Sequence, residues 1–227
     1  VLVGASGGGI LARVFARYYR DEVAGMVLVD STDPDTVAGR KVNGQDVDFR
    51  IREESRGRTV PPPVAQLKDS PPGPLTAEEQ ERFERYLKNR GTPRIHRPHD
   101  RLPAELQKLD LWARFHLNPL LFQTTNPLQG EEFQELYEEA QRDEPPLGDM
   151  PLIVLKSGFR AKKGRTIPPA DITARDLEKE QQKFAQSLWS RNGKYLMVDC
   201  GHEIHLYEPG WVVEAIRQVV AAARSRN

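Results

Sequence analysis

Short runs of aliphatic residues alternate with stretches of helical period at both ends of the chain; the middle has no such runs. Val1 to Val3 read as a strand end, and Ile10, Leu11, Val14, Phe15 and Tyr18 recur with the period of a helix. Arg13, Arg17 and Arg20 fall toward the other side of that helix and its C-terminal end. Val23 to Val29, with Met26, Val27, Leu28 and Val29 as an apolar run, reads as the next strand. Strand, helix and strand within about thirty residues form a βαβ unit and predict a parallel sheet. The pattern returns after residue 150: Pro151-Leu152-Ile153-Val154-Leu155 is a strand, and Arg175–Arg191 a helix with Leu177, Phe184, Leu188 and Trp189 facing inward. Tyr195–Val198 is a last strand, and Trp211–Arg224 a closing helix carrying Val212, Val213, Ala215, Ile216, Val219 and Val220.

Residues 35–148 have a different character. Arg40–Arg58 is charged and poor in aliphatics, and Pro61-Pro62-Pro63 and Pro71-Pro72-Gly73-Pro74 predict an extended loop. Thr76 caps a polar helix reaching Asn89, with Glu79 placed for a capping box. Leu102–Leu117 is a second helical stretch (Leu106, Leu109, Trp112, Phe115), and Gly130–Arg142 a third (Phe133, Leu136, Tyr137). No strand pattern is evident here, so the expectation is a helical insertion over 35–149 into a core made of 1–34 and 150–227.

Composition narrows the function classes. The 227 residues carry 33 basic and 33 acidic side chains, so charge gives no case for nucleic acid or an anionic membrane. No apolar run approaches the ~20 residues of a membrane span. A mean hydropathy of −0.62 is low for an α/β domain and fits a large polar insertion. Cys200 is the only cysteine, so an intrachain disulfide and a cysteine-rich metal site are excluded. His96, His99 and His116 stand without a carboxylate or cysteine cluster and read as loop or surface residues. Val1 opens inside what reads as a central strand, which needs neighbours on both sides. The expectation is an N-terminally truncated chain.

The candidate chemistry begins at the first turn. Gly4-Ala5-Ser6-Gly7-Gly8 fits G-x-S-x-G between a strand and a helix, with Ser6 at the apex. Side chains at Gly4 or Gly8 are expected to collide with the neighbouring turn. A glycine-rich turn at a helix N-terminus also suits a dinucleotide phosphate, and Asp30 ends the next strand at roughly the ~20-residue offset of a ribose-binding acid. The place of the third glycine of that fingerprint is taken by Ile10. On these residues alone, an acyl-transfer site, a Rossmann-type dinucleotide binder and a turn without chemistry all stay open.

A second motif lies near the other end. Gly201-His202-Glu203-Ile204-His205-Leu206 follows a strand and precedes Glu208-Pro209 and an amphipathic helix. With the Ser6 turn, in that chain order, it resembles the α/β-hydrolase superfamily. The resemblance covers about 1–34 and 150–227, and the middle matches only as a cap of the kind this superfamily inserts. It implies the C-terminal half of a mostly parallel α/β sheet, beginning at the fifth of eight strands. It implies Ser6 as nucleophile, His202 as general base and the Gly7 N–H as an oxyanion donor. His205, flanked by Ile204 and Leu206, reads as a packed loop residue, and Cys200 as a buried strand end. The acid falls after the strand following the elbow, giving Asp30, or after the strand beyond the insertion. That second place offers none close by in Lys156-Ser157-Gly158, and Asp171 only at the end of a long loop; Asp33 is a lesser candidate. A serine apex, rather than aspartate, argues against dehalogenase and epoxide-hydrolase chemistry.

The reading is therefore a carboxylesterase-like serine hydrolase that works through an acyl-enzyme on Ser6, needs no cofactor or metal, and takes a small acyl substrate. Leu106, Leu109, Trp112, Phe115 and Phe122 are candidates for setting substrate choice. A catalytically incompetent fragment or pseudoenzyme of the same fold is the alternative.

Overall fold

A computed structural model describes residues 1–55, 74–90, 95, 98–108, 129–158 and 169–226. Leu109, Trp112, Phe115, Phe122, His96, His116 and the proline runs 61–63 and 71–72 lie outside the described residues. The chain divides into two compact units, one of 1–58 with 128–227 and one of 59–127.

The first unit is an α/β layer built on four parallel strands. They are β1 (Leu2–Ala5), β2 (Met26–Val29), β5 (Leu152–Ser157) and β6 (Gly193–Val198), in the order β1-β2-β5-β6. Every residue of β2 and β5 is buried. The apolar runs Met26–Val29 and Leu152–Leu155 are what strands covered on both faces require, and β5 ends in the buried polar pair Lys156 and Ser157. β1 instead lies at the edge of the four, with Val1 44% and Val3 47% exposed.

Helix α1 (Gly7–Tyr18) connects β1 to β2. Its Ala12 and Ala16 join Met26, Leu28, Leu152, Val154 and Trp189 on one face of the sheet. Arg13, expected on the outer side, is only 3% exposed. Its guanidinium lies 3.1 Å from the Trp189 ring centroid and donates to the Leu136 carbonyl, contacts that suit a delocalised, weakly hydrated cation.

The expectation of no strand within residues 35–148 fails. β3 (Val37–Val42) and β4 (Gln45–Arg50) form an antiparallel hairpin whose two-residue turn is Asn43-Gly44, with φ of 51° and 82°. Asn-Gly is the pair that tolerates two successive left-handed residues, which the right-handed twist of a hairpin favours. Arg50 ties the hairpin to Asp35 at 2.6 Å and to Glu178 at 2.9 Å. Helices α2 (Ile51–Ser55) and α4 (Gln129–Ala140) belong to the same unit, α4 burying Phe133 and Leu136 against Ile10.

The second unit holds α3 (Ala77–Arg90). Its capping box is formed: the Glu79 carboxylate accepts from the Thr76 N–H at 2.8 Å, and the Thr76 hydroxyl accepts from the Glu79 N–H at 3.3 Å. Residues 104–108 are helical, with Leu106 47% exposed, and His99 lies in the 3-10 turn His99–Arg101.

α5 (Ala174–Ser187) and α7 (Pro209–Arg224) complete the first unit, with the short α6 (Ile204–Tyr207) before α7. α7 buries Ala215, Val219 and Ala223, and the first two join Val27, Val29, Ile153 and Leu155 on the second sheet face. α5 reverses the expected orientation. Leu177, Phe184 and Leu188 are 49%, 51% and 60% exposed, while Lys183, Gln186 and Ser187 are buried; of the four expected inward residues only Trp189 is. The helix has two regular stripes, and its polar one faces the loop that leaves β2. Among the described residues, no helix is long and apolar enough to cross a membrane.

Candidate active site

The sheet register brings the candidate residues to one edge. Ala5 pairs with Val29, Val29 with Leu155 and Leu155 with Leu196, so the C-terminal ends of the strands stand level. That edge is where open parallel sheets build their sites. Ser6 follows β1 directly, Asp30 follows β2 directly, and His202 comes four residues after β6.

Ser6 is held in a strained conformation, φ 51° and ψ −126°, which costs a non-glycine residue about 1–3 kcal/mol. Three backbone bonds hold it there. Its N–H donates to the Val29 carbonyl at 3.1 Å, and its carbonyl accepts from Gly9 at 3.1 Å and Thr32 at 3.0 Å. The tight approach depends on Gly4 and Gly9. A Cβ on Gly4 would meet the Gly9 Cα at 2.5 Å, and one on Gly9 the Ser31 hydroxyl oxygen at 1.8 Å. A Cβ on Gly8 would meet nothing within 4 Å, so the collision expected at Gly8 belongs to Gly9. Gly7 is exposed at the mouth of α1, whose first turn has no side-chain cap. The Gly7 N–H, in the first turn, has no intrahelical acceptor, and a helix N-terminus of this kind favours an anion or a developing oxyanion.

Asp30 also has positive φ, 42°, and is 6% exposed. Its Oδ2 accepts from His202 Nδ1 at 2.6 Å and from the Ser157 hydroxyl at 2.8 Å. Its Oδ1 faces the Ser157 N–H at 3.5 Å and the Lys183 ammonium at 3.7 Å. Burial alone would raise the carboxyl's pKa. The His202 bond, the Lys183 charge and the Ser157 bond outweigh it, and the group sits at about 2. The carboxylate is already committed to His202 and Ser157, which weakens the support Asp30 lent to dinucleotide binding.

His202 is half exposed, its side chain retaining 52% of its surface. The bond to Asp30 raises its pKa above the ordinary 6.5, burial pulls it down, the charges of Asp30 and Glu203 add to the rise, and Lys183 opposes it. Because Asp30 accepts at Nδ1, the neutral ring carries its proton there and leaves Nε2 free as a base. Among the described residues, Ser6 Oγ makes no hydrogen bond, so the structure joins His202 to Asp30 and leaves Ser6 unjoined on the neighbouring strand tip.

The other candidates are elsewhere. Asp171 is exposed in the 3-10 turn Pro169–Asp171. Asp33 is spent locally, its carboxylate accepting from the Asp35 N–H at 2.9 Å and the Gln186 amide at 3.3 Å. His205 is exposed rather than packed, because the one-turn α6 turns Ile204 inward instead. Cys200 is buried, as expected of a strand end. Among the described residues, no cluster of three or more metal-ligating side chains occurs.

Sequence reasoning missed the polar groups around Asp30. A cavity of about 300 Å³ beside the pair is lined by Asp30, His202, Lys156, Ser157, Lys179 and Lys183, among others. The signal was present in Asp176, Lys179, Lys183 and Gln186, a stripe with the same helical spacing as the apolar one.

No family model and no curated protein matches the chain. Among solved structures, it is similar to the lipase candidate Lip1 of Acinetobacter baumannii AYE (TM-score 0.44, 14% identity, 100% of this chain and 62% of that one). It is also similar to the non-heme bromoperoxidase candidate BpoC of Mycobacterium tuberculosis H37Rv (TM-score 0.36, 17% identity, 97% of this chain and 66% of that one). A third is a candidate hydrolytic enzyme of Pseudomonas aeruginosa PAO1 (TM-score 0.41, 15% identity, 96% of this chain and 62% of that one). The chain thus spans 62% to 66% of the length of the three structures it is set beside.

Proposed function

We propose that the protein is a serine hydrolase of the α/β-hydrolase type that cleaves an ester or related acyl bond through an acyl-enzyme on Ser6. The observation that carries the reading is the 2.6 Å bond between His202 and the buried Asp30, beside a serine held at φ 51° on the adjacent strand tip. In this reading His202 Nε2 takes the Ser6 proton as Oγ attacks the acyl carbon. The carbonyl oxygen becomes an oxyanion facing the Gly7 N–H. Collapse breaks the bond to the leaving group, which receives the proton from His202. Water, deprotonated by His202, then attacks the acyl-enzyme; the acid product leaves and Ser6 Oγ recovers its proton. Asp30 stays ionised, holds the ring with Nδ1–H toward itself and stabilises the imidazolium.

A fluorophosphonate probe tests this. Labelling of the protein that disappears in Ser6→Ala and in His202→Ala is the expected result, and an unlabelled native protein overturns it. The absence of a Ser6–His202 hydrogen bond favours a second reading, a protein of the same fold without turnover. That reading predicts no labelling and no ester hydrolysis above the Ser6→Ala background.

A further inference from the structure

Asp30 faces two partners more than a serine–histidine–acid arrangement uses, Ser157 and Lys183, and the second is charged. Lys183 comes from α5, is only 9% exposed, and sets its ammonium 3.7 Å from Asp30 Oδ1, while His202 occupies Oδ2. A buried ammonium loses its hydration and is kept only where a partner compensates it. The helix that supplies it has a complete apolar stripe, yet turns that stripe to solvent and this lysine inward.

We infer that Lys183 is a positioning residue for the Asp30–His202 pair: its ammonium engages Oδ1, so that the carboxylate presents Oδ2 to His202, and its charge works against the imidazolium that Asp30 favours. Both halves follow from the geometry. A carboxylate anchored on one oxygen by an ammonium and on both by Ser157 has no freedom to swing its second oxygen away from the ring. A fixed positive charge on the far side of the same carboxylate also weakens the hold of Asp30 on a protonated ring. Without it, a buried aspartate alone would favour the imidazolium, and a protonated base takes no proton from Ser6. His202 feels Asp30 from the end of β2, Lys183 from α5 and Glu203 beside it, and their net effect is a raised pKa that Lys183 holds down. Burial lowers the Lys183 pKa below its ordinary value, Asp30 and Asp33 oppose that and keep the ammonium charged, and the Lys156 ammonium adds to the lowering. Asp176 and Lys179 line the same cavity.

The role in turnover rests on the serine-hydrolase reading above; the electrostatic role does not, and the test separates them. Imidazole NMR follows the titration of His202 in the native protein, in Lys183→Met and in Lys183→Arg, with Asp30→Asn as the reference without the acid. The expected result is a His202 titration displaced to higher pH in Lys183→Met and returned toward the native position in Lys183→Arg. A space-filling role would instead leave the titration in place and tolerate Met better than Arg. A His202 titration unchanged in a folded Lys183→Met overturns the inference. If Lys183→Met does not fold, the native protein decides: the Lys183 side-chain resonances must move as His202 titrates, and resonances blind to that titration overturn the inference. Should the protein prove inactive, these readings stand unaltered. Should it be active, the acidic limb of kcat/KM moves upward in Lys183→Met with the NMR titration, and kcat/KM on that limb falls several-fold.

Discussion

α5 and α7 contribute to the same sheet with opposite chemistry. α7 buries Ala215, Val219 and Ala223 and contributes shape and apolar area. α5 buries Lys183, Gln186 and Ser187, and leaves Leu177, Phe184 and Leu188 exposed. Burying the amine and the amide costs desolvation that the exposed leucines would have avoided. Part of that cost is offset by what the polar stripe meets on the chain after β2, although the Gln182 and Gln186 amide oxygens are buried without a hydrogen-bond partner among the described residues. Lys183 reaches Asp30, the Gln186 amide donates to Asp33 at 3.3 Å, and the Gln182 amide donates to the Asp35 carbonyl at 2.8 Å. One helix is placed by the hydrophobic effect and the other by the loop that carries the candidate acid. Departures from apolar burial of this kind are expected near functional sites.

The sharpest way to break this comparison is to remove the group α5 points at. Asp30→Asn should lower kcat by about ten-thousand-fold if Asp30 is the acid of the proposed hydrolase, since the wrong tautomer of His202 is then favoured. Asp171→Asn should leave kcat within twofold. Steady-state kinetics on one activated ester reads both, and the reverse ranking would move the acid to Asp171.

Acid stability is the next largest effect and needs no substrate. The Asp30 carboxyl is held at about 2, below its ordinary 3.8, so its stabilisation is complete above 3.8 and lost as pH falls through 2. The group is buried, and the shift corresponds to about 2 kcal/mol. Urea unfolding between pH 5 and pH 2 should show this loss in the native protein and a smaller one in Asp30→Asn. His202 works the other way: its raised pKa adds stability below 6.5 that disappears as pH rises through the folded value. On α7, Val219→Ala should cost about 2 kcal/mol from lost transfer energy and an unfilled cavity, with the pH dependence and kcat unchanged. A Val219→Ala protein that loses the acid-stability step would show the two helices to be coupled.

The legible parts of the chain are those in which a local pattern has only one structural meaning. Four glycines around Ser6 after an aliphatic run force a turn. Thr76 and Glu79 form a capping box whatever surrounds them, and Val27-Leu28-Val29-Asp30 places an acid at a strand end. The His202 loop is likewise fixed by the strand before it and Pro209 after it. The illegible parts depend on contacts distant in sequence. Helical spacing shows that α5 has two faces and is silent on which one turns inward, because the decision rests with Asp30 and Asp33 about 150 residues earlier. Helical spacing alone puts Arg13 on the outer side, because the Trp189 ring it packs on lies far along the chain. The hairpin is a different case. Asn43-Gly44 was readable as a turn, but the charged flanks masked the alternation of a strand.

The smallest predicted effect is the most exacting test of the reversed helix. Leu177 occupies the apolar stripe of α5 and is 49% exposed. Leu177→Gln changes helix propensity little and leaves the Thr173–Asp176 capping box untouched. If that stripe faces solvent, the substitution should change unfolding free energy by no more than about 0.5 kcal/mol, as other exposed substitutions do. If the stripe is buried in the folded protein, removing a leucine from it should cost about 2 kcal/mol or more. Chemical denaturation separates these outcomes, and the larger value would return Lys183 to solvent and away from Asp30. A small value alone fits an exposed stripe, and paired with a displaced His202 titration in Lys183→Met it fixes the polar face of α5 as the one turned toward the site.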